Sequence, residues 1–303
     1  MLHITNGDEA AAKLRESGVP GEFLAWRDPL HDGPVPDCDS LPELSDVRAR
    51  ALADFGWGKY KEIRRSFGVR DTMLEGFRAH EEVVLWFGHD LYDQLQKLQV
   101  LGWLAGEGKF ETKLSLIQIS EHPEVTPFHG LGQLNGQQLG ELFPQRVEVV
   151  REQMDEAAAN WAIFTSSSHE LLTGLERLLE EYPDVKDGLS RTERQLLWAA
   201  EAGARNSDEL YAESQKFEEV PWGDSSVWLR LEDLTDGPAP ALELVADDDF
   251  LLTDVGRAVL AGEADWIQAR GGAERWIGGV HLTGLSPRWR WCSETCRLMR
   301  QSR

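Results

Sequence analysis

Hydrophobic residues along this 303-residue chain fall into short unbroken runs that alternate with stretches of helical spacing. Residues 83–87 (VVLWF) form one such run, rich in β-branched and aromatic side chains, and predict a strand buried on both faces. Gly88 breaks the run, and from His89 onward the spacing turns helical, with Leu91, Leu95, Leu98 and Gly102 on one stripe. His89 and Asp90 therefore stand where a buried strand passes into a helix.

The same alternation runs through the first part of the chain. Residues 2–5 predict a strand, Asn6-Gly7-Asp8 a turn, and residues 9–17 a helix for which Asp8 is a candidate N-cap. A second strand is predicted at 22–26, ending in Arg27-Asp28-Pro29, and Gly and Pro make residues 30–36 a loop carrying His31 and Asp32. Residues 41–80 predict two or three helical pieces, 113–120 a fourth strand ending at Glu121-His122-Pro123, and 147–166 and 169–181 two further helices. Strands alternating with helices predict a Rossmann-like three-layer α/β domain with a mostly parallel sheet over residues 1–187, carrying a helical insertion at about 41–80.

Around Gly188 the pattern changes. Ser190 and Glu193 are spaced as a capping box at the start of one helix; helices at 206–217 and 224–234 follow. Residues 241–245 and 250–252 predict a hairpin across the turn Ala246-Asp247-Asp248-Asp249, and Thr253 caps a trailing helix. That order predicts a winged-helix-like α+β domain over 188–303, closed by two C-terminal strands in RWIGGVHLTG and PRWRWC.

Composition narrows the class. The chain is 41% hydrophobic and 28% charged, which fits a globular fold, and no apolar run reaches the roughly 20 residues that span a bilayer. MLHITNGD leads directly into a strand pattern without a basic leader, and three cysteines cannot build a disulfide framework; both predict a reducing, cytoplasmic setting. The net charge of −22 disfavours nucleic acid as a partner.

The candidate chemistry lies at the strand ends. Asn6 and Asp8, Arg27 and Asp28, His89 and Asp90, and Glu121 and His122 follow the four predicted strands, so a parallel sheet would gather them at one edge, where ligands of open α/β sheets bind. Asn6, Gly7, Asp8, Arg27 and Gln94 are candidates for holding a small anionic ligand; His89, Asp90, His31 and Asp28 are candidates for acid–base work. If helical, His89 shares a face with Asp93, and Asp90 with Gln94. Each has a plain structural reading as well: Asp8 and Asp90 suit helix caps, and Asp90 with Asp93 simply favours the helix dipole. His31 lies on a loop stiffened by Pro29, Pro34 and Pro36, where a solvated histidine is equally ordinary.

No HxxxH, HExxH or paired CxxC spacing predicts a metal set, and Gly130-Leu131-Gly132-Gln133 lacks the dinucleotide fingerprint, so the sequence identifies no cofactor. Cys292 and Cys296 would lie one turn apart on a helix, a spacing that by itself predicts nothing.

Asn6-Gly7-Asp8, Trp26-Arg27-Asp28, the LHDGPVP loop from Leu30, GHDLYDQLQ from Gly88 and GLGQL from Gly130 together resemble a bacterial family known as domain of unknown function 1835. The resemblance spans most of the first 150 residues and rests on several separated motifs. It departs from the family pattern at Gly88 and Asp32, where that pattern has Glu. It implies the α/β fold and a site at the sheet edge, and no particular reaction.

In the C-terminal part, the third predicted helix carries one Arg among Asp224, Glu232, Asp233 and Asp236, and the hairpin turn carries three Asp. Residues 188–303 hold 13 basic and 20 acidic side chains, with Arg288, Arg290, Arg297, Arg300 and Arg303 as a basic tail. That charge suits a protein contact rather than DNA. Two functions follow: an enzyme acting on a small nucleotide- or sugar-phosphate-like anion, with Arg27 clamping it, or a non-catalytic sensor or adaptor that passes a ligand signal to a protein partner.

Overall fold

The computed structural model describes residues 1–220 and 222–301; Arg303 of the basic tail lies outside the described residues. The chain forms two compact units, Met1–Ser166 and Ser167–Arg303.

In the first unit the order is β1 (Leu2–Asn6), α1 (Asp8–Glu16), β2 (Glu22–Trp26), the two-residue β3 (Gly33–Pro34), α2 (Leu41–Asp54), α3 (Tyr60–Glu75), β4 (Glu82–Phe87), α4 (Leu91–Gly106), β5 (Lys113–Gln118), α5 (Gly136–Leu142), β6 (Val147–Glu148) and α6 (Arg151–Thr165). Five strands lie side by side in the order β2-β1-β4-β5-β6. The pairs β1–β2, β1–β4 and β4–β5 are parallel, and only the short edge pair β5–β6 is antiparallel. The mostly parallel α/β sheet expected from the alternation of runs is therefore present. Its helical insertion, α2 and α3 with a 3-10 turn at Gly76–Ala79, occupies the expected stretch.

The sheet is buried for the reason the sequence suggested. Residues 83–87 of β4 are fully inaccessible, and burying each such large side chain contributes about 1.5–3 kcal/mol. One face packs Val84, Trp86 and Ile117 against Ala10 and Leu14 of α1 and Leu139 and Leu142 of α5. On the strand between β2 and β4, His3 is locked by two bonds: Trp86 Nε1 donates to its Nδ1 at 3.0 Å, and its Nε2 lies 3.2 Å from the carbonyl of Pro20. Burial lowers the pKa of this imidazole. The direction of the chain reverses at β1: it runs outward to β2, then crosses to the other side of β1 to form β4. The crevice between the carboxyl ends of β1 and β4 is the place such folds use for ligands.

The second unit contains α7 (Glu176–Leu179), α8 (Arg191–Glu201), α9 (Ser207–Gln215), α10 (Asp224–Thr235), the hairpin β7 (Leu242–Ala246) with β8 (Asp249–Leu252), α11 (Asp254–Leu260), α12 (Trp266–Ala269), and two further antiparallel pairs, β9 (Ala273–Gly278) with β10 (Val280–Gly284) and β11 (Trp289–Cys292) with β12 (Arg297–Arg300). Ser190 and Glu193 make the anticipated capping box on α8.

Several details differ from the sequence reading, among them the start of the helix expected at 147, where Val147–Glu148 form the edge strand β6 and α6 begins at Arg151. The periodic stretch 169–181 is helical only at Glu176–Leu179, because Gly174 takes a φ of 73° and breaks it. RWIGGVHLTG is a hairpin rather than one strand, turning at Gly278 (φ 54°). Cys292 and Cys296 flank the turn between β11 and β12 instead of sharing a helix, and both are free thiols. The Gly-rich passage holds α5, fixed by a capping box between Asn135 and Gln138.

Candidate functional site

The parallel register brings the ends of β1, β2 and β4 to one edge. Asn6 pairs with Trp26 at the end of β2, and Thr5 with Trp86 in β4. Gly7 follows with φ 57°, a conformation open to glycine at little cost, and its N–H donates to the carbonyl of Trp26 at 3.0 Å. This bond turns the chain sharply into α1, whose first residue is Asp8. Arg27 reaches back from the end of β2 to Asp8, 3.1 Å away, and both side chains are at least half exposed. Asn6, Gly7, Asp8 and Arg27 thus form one rim of the edge.

The opposite rim is the start of α4. Asp90 is its N-cap, accepting from the N–H of Asp93 at 2.8 Å, and Asp93 in turn accepts from the N–H of Gly88. The two carboxylates flank Gly88 so closely that a Cβ on that residue would stand 2.9 Å from Asp93 Oδ2 and 3.5 Å from Asp90 Oδ2. Burial, and then repulsion by Asp90, hold the carboxyl of Asp93 well above the ordinary range, against the pull of the Gly88 N–H and the Asn6 side chain. Asp90 is also raised, by burial, although the Asp93 N–H and His89 oppose it. Two interacting carboxyls at one helix start share protons as a pair.

His89 stands one residue before the cap, outside the helix. The shared face with Asp93 expected from four-residue spacing therefore does not arise, and Nδ1 of His89 is buried without a hydrogen-bond partner. Gln94 likewise turns to the Gly88 carbonyl (2.6 Å) rather than to Asp90. Lys97, lowered in pKa by burial, links Gln94 at 2.6 Å with Gln118 at the end of β5 at 2.9 Å. Of the fourth strand's expected contribution, His122 lies beyond the strand in a bridge with Val125, its Nδ1 accepting from the N–H of Glu124 at 3.3 Å.

Asp28 is fully buried and held by Arg48, also fully buried, with Nε at 2.9 Å and Nη2 at 2.8 Å from Oδ1. The same guanidinium donates to the carbonyls of Pro29, Asp32 and Pro34 at 3.0, 2.7 and 3.1 Å, so one arginine fixes the whole loop that carries His31. Removing one partner of a buried pair of this kind costs about 3–5 kcal/mol. His31 and Asp32 are buried as well, with Nε2 of His31 3.5 Å from Asp32 and its ring set edge-on to Tyr92 of α4. The second oxygen of Asp28 makes no hydrogen bond and faces Nη1 of Arg70 across 3.9 Å; that nitrogen has no hydrogen-bond partner either.

A polar stripe on α4 links these groups. Gln96 donates to the carbonyl of Asp28 at 3.2 Å, and Gln99 accepts from Nε1 of Trp26 at 2.8 Å. Burial pushes the Tyr92 phenol up in pKa despite a bond to Gln96. Arg48, Arg70, Tyr92, Gln96 and Gln99 were not singled out from the sequence. The available signal was the spacing of Asp93, Gln96 and Gln99, polar residues on the buried face of a mostly apolar helix. Among the described residues no group of three or more His, Cys, Asp or Glu is arranged to hold a metal ion.

The first unit is an α/β fold with a mostly parallel sheet, and polar side chains gather where its strand order switches. Comparison with protein-family models finds no match, and comparison with curated proteins finds none.

Proposed function

We propose that the first unit binds a small anionic ligand, nucleotide- or sugar-phosphate-like, at the carboxyl edge of its sheet and transfers a proton on it. The observation that carries this reading is a set of buried polar atoms without hydrogen-bond partners at the ends of three adjacent strands: Thr5 Oγ1, Asp28 Oδ2 and His89 Nδ1. Native folds satisfy nearly all such groups, and a concentration of exceptions at a ligand-binding edge suits a molecule that satisfies them on binding. Arg27 and the N-terminus of α1 offer positive potential to an anion. Asp90 and Asp93, both raised in pKa, offer a coupled pair of acid–base groups that repels that anion less than carboxylates of ordinary pKa would. His89 and His31 are further proton carriers at the same edge, and Asp28 keeps the His31 loop in place through Arg48.

The resemblance to domain of unknown function 1835 supports the position of this site and adds no reaction. In the second unit, the order α8, α9, α10, β7–β8, α11 supports a winged-helix-like reading and with it the alternative of a sensor whose acidic module contacts a protein. Its hairpin turn is internally engaged, Asp248 with the N–H and hydroxyl of Ser207 and Asp249 with Arg205, which leaves the wing poorly suited to phosphate contact.

Thermal shift against AMP, ribose 5-phosphate and inorganic phosphate, each with and without Mg²⁺, tests the reading. A ligand at 100 times its Kd adds about 2.7 kcal/mol of apparent stability. At least one phosphate-bearing probe should raise the midpoint, and Arg27→Ala should abolish that shift. No stabilisation by any probe, or an equal shift in Arg27→Ala, would count against it.

A further inference from the structure

Further along α4, past Gln96, lies a cavity of about 170 Å³, lined by Cys38, Leu41, Leu44, Gln99, Trp103 and Trp161. We propose that this cavity is a second binding site, for a small flat uncharged molecule that carries a hydrogen-bond acceptor on an aromatic ring.

Size comes first. A cavity of about 150 Å³ accepts a benzene-sized guest, so this volume, open on one side, holds one ring with a short substituent. Shape comes from the indoles of Trp103 of α4 and Trp161 of α6, which both line the cavity, and from Gly102, whose missing side chain lets α6 come close: an added Cβ would stand 3.2 Å from Cβ of Trp161. Flat faces of this kind favour an aromatic guest.

Polarity comes from Gln99. The residue is 2% exposed, and its Oε1 is engaged by Trp26, which orients the amide and leaves Nε2 as the free end. Nε2 is buried with no partner. A buried donor left unmade is costly, and a carbonyl or ring-nitrogen acceptor on the guest removes that cost. Charge excludes anions: Asp37 and Asp39 flank Cys38 at the mouth, and burial together with Glu43, Asp37 and Asp39 holds the Cys38 thiol up in pKa. The ring therefore arrives neutral, and a carboxylate-bearing analogue is refused.

Titration of the full chain with benzamide, followed by tryptophan fluorescence and ligand-observed NMR, tests the assignment, with toluene and benzoate as comparison probes. Benzamide should bind, toluene should bind about five-fold more weakly, as expected for one neutral hydrogen bond, and benzoate should fail. Gln99→Met should bring benzamide down to the level of toluene. Because Gln99→Met also removes the acceptor of Trp26 and can impair folding, Cys38→Phe serves as a second variant: it fills the mouth from a partly exposed position and should abolish binding of both neutral probes. Absence of benzamide binding at millimolar concentration, equal affinity for benzoate, or unchanged binding in Cys38→Phe would overturn the proposal.

Discussion

Asp93 is the residue whose position is hardest to explain by stability alone. It is fully buried, its carboxyl is pushed up in pKa, and it lies beside a second carboxyl whose charge opposes its own. A group whose folded pKa exceeds its unfolded value binds more protons in the native state, so its contribution to stability is full below the unfolded pKa and falls as pH rises through the folded pKa. At neutral pH Asp93 is therefore a net cost. Asp93→Asn retains an acceptor for the N–H of Gly88 and removes the ionisation. Its unfolding midpoint should exceed that of the wild type by a few degrees at pH 7.5, and the difference should shrink towards pH 4, with denaturation scans across that range as the measurement. The variant should also lose the proposed proton transfer, the usual exchange of activity for stability. An Asn variant less stable than the wild type at pH 7.5 would show that Asp93 is structural. Sequence spacing located Asp93 and Asp90 but paired them with His89 and Gln94 wrongly. The helix begins at Leu91, and which residue caps it depends on where the chain leaves β4.

At the scale of elements, what could be read in advance followed from local signals. The four parallel strands appear as apolar runs, and α8 as a capping box, because burial on both faces and cap chemistry leave marks on single sequences. Elements decided by distant contacts did not. The segment from 169 to 181 is one case: Gly174 interrupts the helix locally, but what holds the broken segment is not visible in the local sequence, Tyr182 being buried with its hydroxyl 2.9 Å from Nδ1 of His169 and Glu181 entering a network with Arg177 at 2.6 Å, Arg275 at 2.8 Å and the hydroxyl of Thr192 at 2.6 Å. Arg48 escaped notice for the same reason, since nothing in the α2 sequence shows that its guanidinium closes the loop after β2. Glu181 yields a prediction with the opposite sign to Asp93. Burial opposes its charge, but Arg177, Arg275 and the Thr192 hydroxyl outweigh burial and hold its pKa far below the usual carboxylate range. Its stabilisation is complete above the unfolded pKa, about 4.3, and is lost as pH falls below it. Glu181→Gln should cost about 3–5 kcal/mol at pH 7, the penalty for breaking a buried pair. It should also flatten the acid limb below pH 4.5, which amide hydrogen exchange in α8 can follow. An unchanged acid limb would assign the pH dependence to other groups.

Over the whole molecule the dominant quantity is charge: 53 acidic against 31 basic side chains, for a net −22. Much of the positive charge is already committed to neighbours, as with Arg48, Arg177, Arg270 and Arg275, whose partners are carboxylates of their own unit. Each such pair cancels one charge of either sign, so the remaining groups keep the full excess of carboxylates, and exposed like charges repel over about 10 Å at 0.1 M salt. Raising NaCl from 0.02 to 0.2 M should increase the thermal midpoint by screening that repulsion. The same field governs partners. The proposed winged-helix-like reading invites a test against DNA, and phosphate contact demands a basic face that the hairpin turn, with Asp248 and Asp249 tied to Ser207 and Arg205, does not present. Fluorescence anisotropy with a labelled 30-base-pair duplex at 0.05 M salt should show no binding at micromolar protein, where nonspecific affinity would be strongest. Binding that weakens steeply as salt rises would mean that the basic tail overrides the field, and the second unit would then have to be reread as a nucleic-acid module rather than a protein contact.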